Sequence, residues 1–469
     1  MKIHYQKAIQ FLSLLAKKLK LQSFSKEDAA FVGGVVRDAL LLKFSEKLDI
    51  DIVTSEVSFS KIAELLSSFS FSSVEFKSED RLMRTSRFFL KKEFFKDIEI
   101  WIRQNVNPNY RLEDLQVDLS IEDNIPDKTK RDFTVNSIYF NTSIFFPSGM
   151  NPIADLKEQL LIPAFEETFR QDPVRILRAV RFIAKLNLEV VNKLKFSPTM
   201  LSTVAKERIT EELVKIFSTP NLKKALIFSF QHNIWSYFAE EFEKIKSMWQ
   251  NKYHAFTVSY HSIKTVELID KYLHFSHLHK LKKEWLLRLA AFFHDIGKAN
   301  TKNGEKFYGH DIKGEQIFKL KIAPKLRLAK DDEKYLAFLI KKHMYPVYNL
   351  TTQKQIARFW NKFKDHGLDL LALHMADFEA KGTDTEEELA ERRTLIWEFL
   401  KIYCYLRHED RFSPLLNGNE IMKILNIPPS PTVGKVKNEL IKLQLEGKLK
   451  TKEEAIKWLE VNRNLLTSN

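Results

Sequence analysis

The sequence of 469 residues contains a single cysteine, Cys404. One cysteine excludes an intrachain disulfide framework and any zinc site built from several cysteines. No apolar run approaches the length of about 20 residues that a membrane-spanning helix needs, and the first residues lack the apolar stretch of a secretory signal. Internal repeats and low-complexity tracts are also missing. These absences predict a cytoplasmic protein without a membrane partner.

Charge, in contrast, is abundant. Charged residues make up 29% of the chain and hydrophobic residues 44%, which is typical of a folded protein rather than a disordered one. Lysine and arginine number 75 against 61 acidic residues, giving a net charge of +14. Such a surplus suits a polyanionic partner, although a generally solvated basic surface gives the same count. The length favours several domains rather than one core.

The residue patterns predict an α+β fold with two unlike parts. Residues 1–24 are predicted to form a lead-in helix. From 29 to 145, short strands alternate with helices: strands are predicted at 49–54, 87–91 and 97–103, and helices at 60–68 and 134–139. After Pro152, apolar residues recur with a period near 3.6, so roughly the last two-thirds of the chain is predicted to be helical.

Asp49 and Asp51 are the most informative residues of the chain. They alternate with isoleucines in a predicted strand, where side chains at i and i+2 share a face. Two neighbouring carboxylates favour a divalent cation between them, and Mg²⁺ prefers such oxygens together with phosphates. Upstream, Gly33 and Gly34 open a predicted helix, whose free N–H groups attract anions, and Arg37 follows one turn later. Although Asp-x-Asp alone is common on exposed strands, the combination indicates phosphoryl chemistry on a nucleotide.

Two later segments supply further charged groups. Arg131, in Lys130-Arg-Asp-Phe-Thr-Val-Asn136, is placed to bind a triphosphate or a ribose. Asp172, Arg175 and Arg178 recur every three residues and form one stripe of a predicted helix. A carboxylate beside a guanidinium matches the donor-next-to-acceptor edge that cytosine and adenine share. A solvated turn and a salt-bridged helix face are the alternative interpretations of these two segments.

In this order and spacing, the three segments resemble the class II tRNA nucleotidyltransferase and bacterial poly(A) polymerase family. The resemblance implies that Asp49 and Asp51 are catalytic and hold Mg²⁺, and that Asp172 and Arg175 read the base of the incoming nucleotide. The residues that it assigns to nucleotide binding are Gly33, Gly34, Arg37, Arg131, Asp172, Arg175 and Arg178.

Two positions depart from the family pattern. Lys43 stands where a glycine usually ends the turn before the aspartates. The family often carries a third carboxylate on a neighbouring strand, and Glu99 is the candidate here. The distance along the chain from Glu99 to Arg103 is, however, one residue shorter than the family spacing.

A second constellation begins with adjacent His294 and Asp295 near the end of an apolar helix. Such a pair is costly to bury unless it binds something, and a divalent metal is the simplest partner. The segment resembles the HD phosphohydrolase superfamily. That resemblance implies a metal of unknown identity, either in a catalytic centre or in a helical scaffold that holds RNA. The implied ligands are His261, His294, Asp295 and Asp377, with His310 and His343 as possible further ligands.

The two resemblances divide the chain into four parts: a nucleotidyltransferase head at 1–145, an elongated helical neck at 146–245, an HD-type helical domain at 246–405 and a tRNA-binding tail at 406–469. They imply template-independent addition of CMP, CMP and AMP to the tRNA 3′ end from CTP and ATP. Addition of C or A alone, poly(A) synthesis and HD phosphohydrolysis stay open. Residues 76–84 lack the Arg-Arg-Phe-Arg-like stretch of poly(A) polymerases, which favours tRNA. The sequence does not give the oligomeric state.

Overall fold

The structure is a computed structural model that describes residues 1–77, 84–190, 194–276, 283–408, 414–445, 447–463 and 466. The chain divides into two compact units, Met1–Arg208 and Ile209–Asn469. The first unit contains the sheets, and the regular elements described in the second unit are all helices. This arrangement confirms the predicted α+β class.

A seven-stranded mixed sheet forms the base of the first unit, with strand order β3-β4-β5-β2-β1-β6-β7. Strands β2 and β5 run parallel, and the other neighbouring pairs are antiparallel. The strands are β1 (Ala29–Val32), β2 (Asp49–Thr54), β3 (Ser70–Lys77), β4 (Arg84–Leu90), β5 (Leu115–Ile121), β6 (Tyr139–Phe140) and β7 (Ile144–Phe145). Two short strands after Pro152, β8 (Leu160–Leu161) and β9 (Glu189–Val190), pair in parallel.

The alternation of β2 sets its two faces. Ile50 and Ile52 are buried, whereas Asp49 and Asp51 are exposed. Strand β5 has the same pattern, with its leucines and valine buried and the polar residues between them only partly so. Because paired residues on neighbouring strands point to the same side, the polar residues of both strands meet on one face of the sheet.

Helices of the first unit lie between and after the strands. They are α1 (Tyr5–Lys18), α2 (Gly34–Leu41), α3 (Glu56–Ser67), α4 (Lys96–Asn105), α5 (Pro152–Glu158), α6 (Thr168–Gln171) and α7 (Arg175–Leu186). Helix α8 (Lys206–Phe217) runs across the boundary between the units.

Two local predictions were wrong. Residues 97–103 form helix α4 rather than a strand, because Ile98 and Ile102, four residues apart, are both buried while Ile100 between them is 52% exposed. The predicted helix at 134–139 is a single 3₁₀ turn, Thr134–Asn136, followed by β6.

The turn after α2 closes without the glycine that the resemblance leads us to expect at Lys43. Leu42 takes the left-handed conformation, with φ of +52°. The N–H of Lys43 then donates to the carbonyl oxygen of Asp38 at 2.9 Å, which caps the helix. Lys43 is therefore compatible with the turn because the preceding leucine carries the unusual φ.

The second unit packs its helices around aromatic side chains such as Trp235 and Phe292, whose ring centroids lie 4.7 Å apart. Its remaining helices are α9 (Lys223–Gln231), α10 (Glu241–Lys246), α11 (Val258–Ile269), α12 (Leu273–Ser276), α13 (Glu284–Phe293), α14 (His310–Ile317), α15 (Lys330–Lys342), α16 (Gln353–Phe363), α17 (His366–Ala380), α18 (Glu386–His408), α19 (Gly418–Leu425), α20 (Pro431–Leu445) and α21 (Lys452–Val461). Among the described residues, every helix is too short or too polar to span a bilayer.

Candidate functional site

Three carboxylates share one face of the head sheet. Asp49 and Asp51 lie two residues apart on β2, and the Cα partner of Asp51 on β5 is Asp118. The predicted third carboxylate, Glu99, was misplaced: it lies on helix α4, where it pairs with Arg103 one turn later. The alternation Leu115-Gln-Val-Asp-Leu-Ser-Ile121 was the sequence signal that pointed to Asp118 instead.

The electrostatics of this face favour a counter-charge. Desolvation by the protein around Asp51, followed by the charge of Asp118, raises the pKa of Asp51 to about 6. Arg131 opposes that shift. The carboxylate nevertheless remains accessible at the surface of the sheet. A face that resists carrying its full negative charge, and that offers hard oxygen ligands, fits a divalent cation such as Mg²⁺.

The glycine turn lies directly beside Asp51. Gly33 has φ of +69°, a conformation that residues with a side chain rarely adopt, and a Cβ built there would lie 3.7 Å from Asp51 Oδ2. Helix α2 begins at the next residue, Gly34, so its first free N–H groups lie close to the acidic face. This arrangement can bring an anion and a cation together.

Two hydrogen bonds and an ion pair join the three nucleotidyltransferase-like segments. Arg37 is buried and donates to Oδ1 of Asn136. The Asn136 amide donates to Asp132 Oδ1 at 3.0 Å, and Asp132 Oδ2 lies 3.3 Å from Nε of Arg178. The structure thus brings the segments together, although Arg37 lies among protein groups rather than on an open surface.

Two side chains, those of Glu122 and Tyr139, fix the position of the Arg131 guanidinium. It pairs with the buried carboxylate of Glu122, and its Nε donates to the hydroxyl of Tyr139 at 3.1 Å. Glu122 also accepts from that hydroxyl at 2.7 Å. Desolvation lowers the pKa of Arg131, but Glu122, Tyr139 and Asp51 together outweigh it and the net direction is upward, so the guanidinium keeps its charge near Asp51.

The two predicted base readers pair with other groups in this structure. Asp172 Oδ2 accepts from Arg208 Nη2 at 2.6 Å. Arg175 is buried, and its Nη1 donates to Gln171 Oε1 at 2.9 Å and to Thr168 Oγ1 at 3.0 Å. The sequence pattern did not indicate the pair Asp172–Arg208, because the two residues lie 36 positions apart in the chain.

The predicted HD residues converge, although they come from helices spread over more than 100 residues of chain. Asp377 on α17 lies 2.8 Å from His261 on α11 and 3.5 Å from His294 at the end of α13. Asp295 lies 3.3 Å from both His294 and His310, one contact through each of its oxygens. Two groups of potential metal ligands result, and the dipeptide His294-Asp295 contributes one residue to each. They are His261, His294 and Asp377, and Asp295, His310 and His343.

Backbone carbonyls orient three of these imidazoles. Nδ1 of His294, His310 and His343 each lies 2.7 Å from the carbonyl oxygen three residues earlier. Their Nε2 atoms therefore face the cluster, as in metal-binding histidines. Nε2 of His294 is buried without a hydrogen-bond partner, a cost that a cation would remove.

The six residues of these two groups are called the HD cluster below. Positively charged side chains in and beside it balance its carboxylates. Burial opposes ionisation, yet Asp295 and Asp377 raise the pKa of His294 to about 10. The ammonium of Lys298, which the sequence did not single out, lies 2.6 Å from Asp295 Oδ2 and also donates to Gln250. The two carboxylates thus sit in a site that attracts positive charge.

The chain is similar to proteins of known name, both in its head and over most of its length. Residues 29–162 match the Poly A polymerase head domain. The A-adding tRNA nucleotidyltransferase of Deinococcus radiodurans is 27% identical, covering 70% of this chain and 77% of its own. The CC-adding enzyme of Thermus thermophilus is 29% identical, covering 71% and 76%.

Residues 29–162 therefore form a head of the Poly A polymerase type, in a chain that is similar to tRNA nucleotidyltransferases over about 70% of its length. This nucleotidyltransferase is also similar to the CCA-adding enzyme of Streptococcus thermophilus, at 23% identity over 96% of this chain and 95% of that one. The Thermotoga maritima CCA-adding enzyme complexed with tRNA shares its fold, with a TM-score of 0.59 at 17% identity and coverage of 98% and 100%.

Proposed function

We propose that this nucleotidyltransferase adds CMP, CMP and AMP to the 3′ end of tRNA, using CTP and ATP. The observation that carries the proposal is the shared face of Asp49, Asp51 and Asp118 beside the Gly33 turn. Relatives named as CCA-adding, CC-adding and A-adding enzymes support tRNA as the acceptor. The net charge of +14 suits that polyanion.

Asp49 and Asp51, with Asp118 beside them, would hold Mg²⁺. Magnesium, when bound, activates the 3′-hydroxyl and stabilises the departing pyrophosphate. The N–H groups that open α2 at Gly34 bind phosphate oxygens, and the charge of Arg131 favours the same polyanion. Because the nucleotide is held before the 3′ end attacks, much of the rate gain comes from positioning.

The arginine-rich start of α7, with Asp172 just before it, selects the base of the incoming nucleotide. Asp172 and Arg175 offer an acceptor and donors to the edge that cytosine and adenine share. To do so, each must exchange its present partner for the base, since Asp172 holds Arg208 and Arg175 holds Gln171. The sequence of the segment 76–84 favours tRNA addition over poly(A) synthesis. Its residues 78–83 lie outside the described residues.

Labelled CTP or ATP and three tRNAs test the proposal: one lacking the whole CCA end, one lacking its last two nucleotides and one lacking only the terminal A. Full addition predicts label on the first tRNA that stops after CCA. Label on only the acceptor lacking A identifies an A-adding enzyme, and a stop after CC identifies a CC-adding enzyme. Tails that continue past A, or that form on unrelated RNA, identify a poly(A) polymerase.

A second candidate function is phosphate-ester hydrolysis at the HD cluster, within the proposed domain 246–405. The observation that favours it is that six potential metal ligands form two neighbouring groups, one containing His294 and the other Asp295. A divalent metal, when bound there, polarises a phosphate ester and its attacking water. The other proposed domain boundaries lie after residues 145 and 405. The proposed location is the cytoplasm.

Metal analysis of the purified full-length chain tests the second function. A catalytic HD centre predicts bound divalent metal that falls in His310→Gln and is unchanged in His274→Gln, an exposed histidine of the same unit. Hydrolysis of a phosphodiester should fall in step with the metal. A parent protein that binds no metal, or whose metal has no associated hydrolysis, supports the scaffold role.

A further inference from the structure

One arginine lies in line with the acidic face of the head. Arg87 on β4 is the Cα partner of Asp118 on β5, and Asp118 is the Cα partner of Asp51 on β2. The three side chains therefore stand in a row across three neighbouring strands, on the same face of the sheet. An arginine at the end of this row supplies one fixed positive charge to a face that carries three carboxylates.

The pair that Arg87 makes with Asp118 uses both carboxylate oxygens. Nε donates to Oδ1 and Nη2 to Oδ2, each at 2.7 Å. This two-pronged arrangement is the strongest form of an arginine–carboxylate pair. The guanidinium also lies 5.5 Å from the ring centroid of Phe76 on β3, which supports it within the sheet.

A cation that approaches Asp118 competes directly with this arginine. Coordination by Asp118 oxygens requires them to give up hydrogen bonds to Arg87, and the guanidinium charge repels a second cation at short range. A bound triphosphate changes the balance, because its anionic oxygens offer Arg87 another partner. The same exchange frees the carboxylate when the substrate is present.

We propose that Arg87 is a positioning residue that withholds Asp118 from divalent cations until a nucleoside triphosphate is bound. The inference rests on the proposed nucleotidyl transfer, and it adds an order of events: cations alone bind the head weakly, and they bind tightly together with the nucleotide. A purely structural cross-strand pair would instead contribute to folding and leave cation binding unchanged.

Mn²⁺ binding to the full-length chain without nucleotide or tRNA tests the proposal, with free Mn²⁺ measured by electron paramagnetic resonance. Because the HD cluster is a second candidate cation site, the head contribution is defined as the binding that Asp51→Asn removes. In Arg87→Gln this contribution should tighten by about tenfold, since a repelling charge and a competing pair are both lost. CTP should then tighten Mn²⁺ binding less in this variant than in the parent.

Three further variants make the result specific. Arg103→Gln removes the same charge from another arginine–carboxylate pair of this unit and should leave Mn²⁺ binding unchanged. Asp118→Asn in the Arg87→Gln background should abolish the gain. Arg87→Lys keeps the charge but loses the two-pronged geometry, so its affinity should fall between those of the parent and Arg87→Gln. It also provides the test if the glutamine variant does not fold.

Two outcomes separate the inference from the function beneath it. If Asp51→Asn removes Mn²⁺ binding but Arg87→Gln and Arg87→Lys stay within about twofold of the parent, Arg87 is structural and the inference is wrong. If Asp51→Asn leaves Mn²⁺ binding unchanged, the acidic face is not the cation site and the proposed transfer itself fails.

Discussion

The two candidate centres, the acidic face of the head and the HD cluster, differ in how deeply their charged groups are buried. In the head, Asp49 and Asp51 are exposed on one strand, and a neighbouring strand adds Asp118. In the HD cluster, His261 and His294 are fully buried, and the ligands come from separate helices. An open sheet face admits a large substrate that brings its own phosphates, whereas a buried cluster holds its ligands fixed before anything binds.

The pKa directions follow this difference. Asp51 is shifted upward, because desolvation and Asp118 disfavour its charge. Burial disfavours the charge of Asp377 too, but its close contacts with His261 and His294 together outweigh burial and hold its pKa well below the usual value. The head face therefore keeps an excess of negative charge despite Arg131 and Arg87, while the HD cluster carries much of its own neutralising charge.

The largest expected effect is on catalysis at the head. Asp118→Asn should lower labelled-nucleotide incorporation by about a hundredfold or more, because a carboxylate facing the metal-binding pair is lost. Incorporation by purified variants under saturating nucleotide measures it. Incorporation equal to that of the parent would show that Asp118 takes no part and that the face needs only Asp49 and Asp51.

Next in size is a change in HD packing. A Cβ at Gly297 would lie 1.9 Å from the carbonyl oxygen of His310 and 2.5 Å from the N of Gly314, so Gly297→Ala must displace the start of α14. We expect a loss of about 3 kcal/mol or more in urea unfolding, together with weaker metal binding. Gly434→Ala, with nothing within 4 Å of the new Cβ, is the control and should be neutral or slightly stabilising. Equal stability of both variants would contradict the packing around His310.

A smaller effect separates the two centres by sign. The folded pKa of Asp51 is raised to about 6, so its contribution to stability is present below its unfolded value near 4 and is lost as pH rises through about 6. Asp51→Asn should therefore stabilise the metal-free chain at neutral pH, by about 1 kcal/mol after allowance for solvent screening. Asp377→Asn should destabilise it, because the folded pKa of Asp377 is depressed. Unfolding measured in chelator checks both, and the same sign in the two variants would contradict the comparison.

The smallest expected effect is at Glu99. Its partner Arg103 is on the same helix, and the pair is solvent-accessible. Glu99→Gln should change stability by no more than about 0.5 kcal/mol and leave incorporation unchanged. A loss of incorporation comparable with that of Asp118→Asn would restore Glu99 as the third carboxylate.

How far the sequence predicted these centres depended on the range of each contact. The alternation of Asp49 to Ile52 predicted strand β2 and its polar face, since two-residue periodicity is local. The same rule failed at Ile98, Ile100 and Ile102, where alternation concealed a helix that buries residues four apart.

Contacts between distant segments were not predictable from local patterns. The HD dipeptide was visible in the sequence, but Asp377 was assigned only through the family resemblance. The pairs Arg87–Asp118 and Asp172–Arg208 join residues 31 and 36 positions apart, and no local periodicity encodes them. Lys298 was passed over for the same reason: its role depends on the position of Asp295 within the folded cluster.

One paired measurement tests the account most directly: labelled CMP incorporation into tRNA lacking CCA by Asp51→Asn and by His294→Ala. We predict that Asp51→Asn abolishes incorporation while metal in the HD cluster is retained, and that His294→Ala loses that metal while incorporation continues. Incorporation that persists in Asp51→Asn and disappears in His294→Ala would contradict the assignment of nucleotidyl transfer to the acidic face of the head.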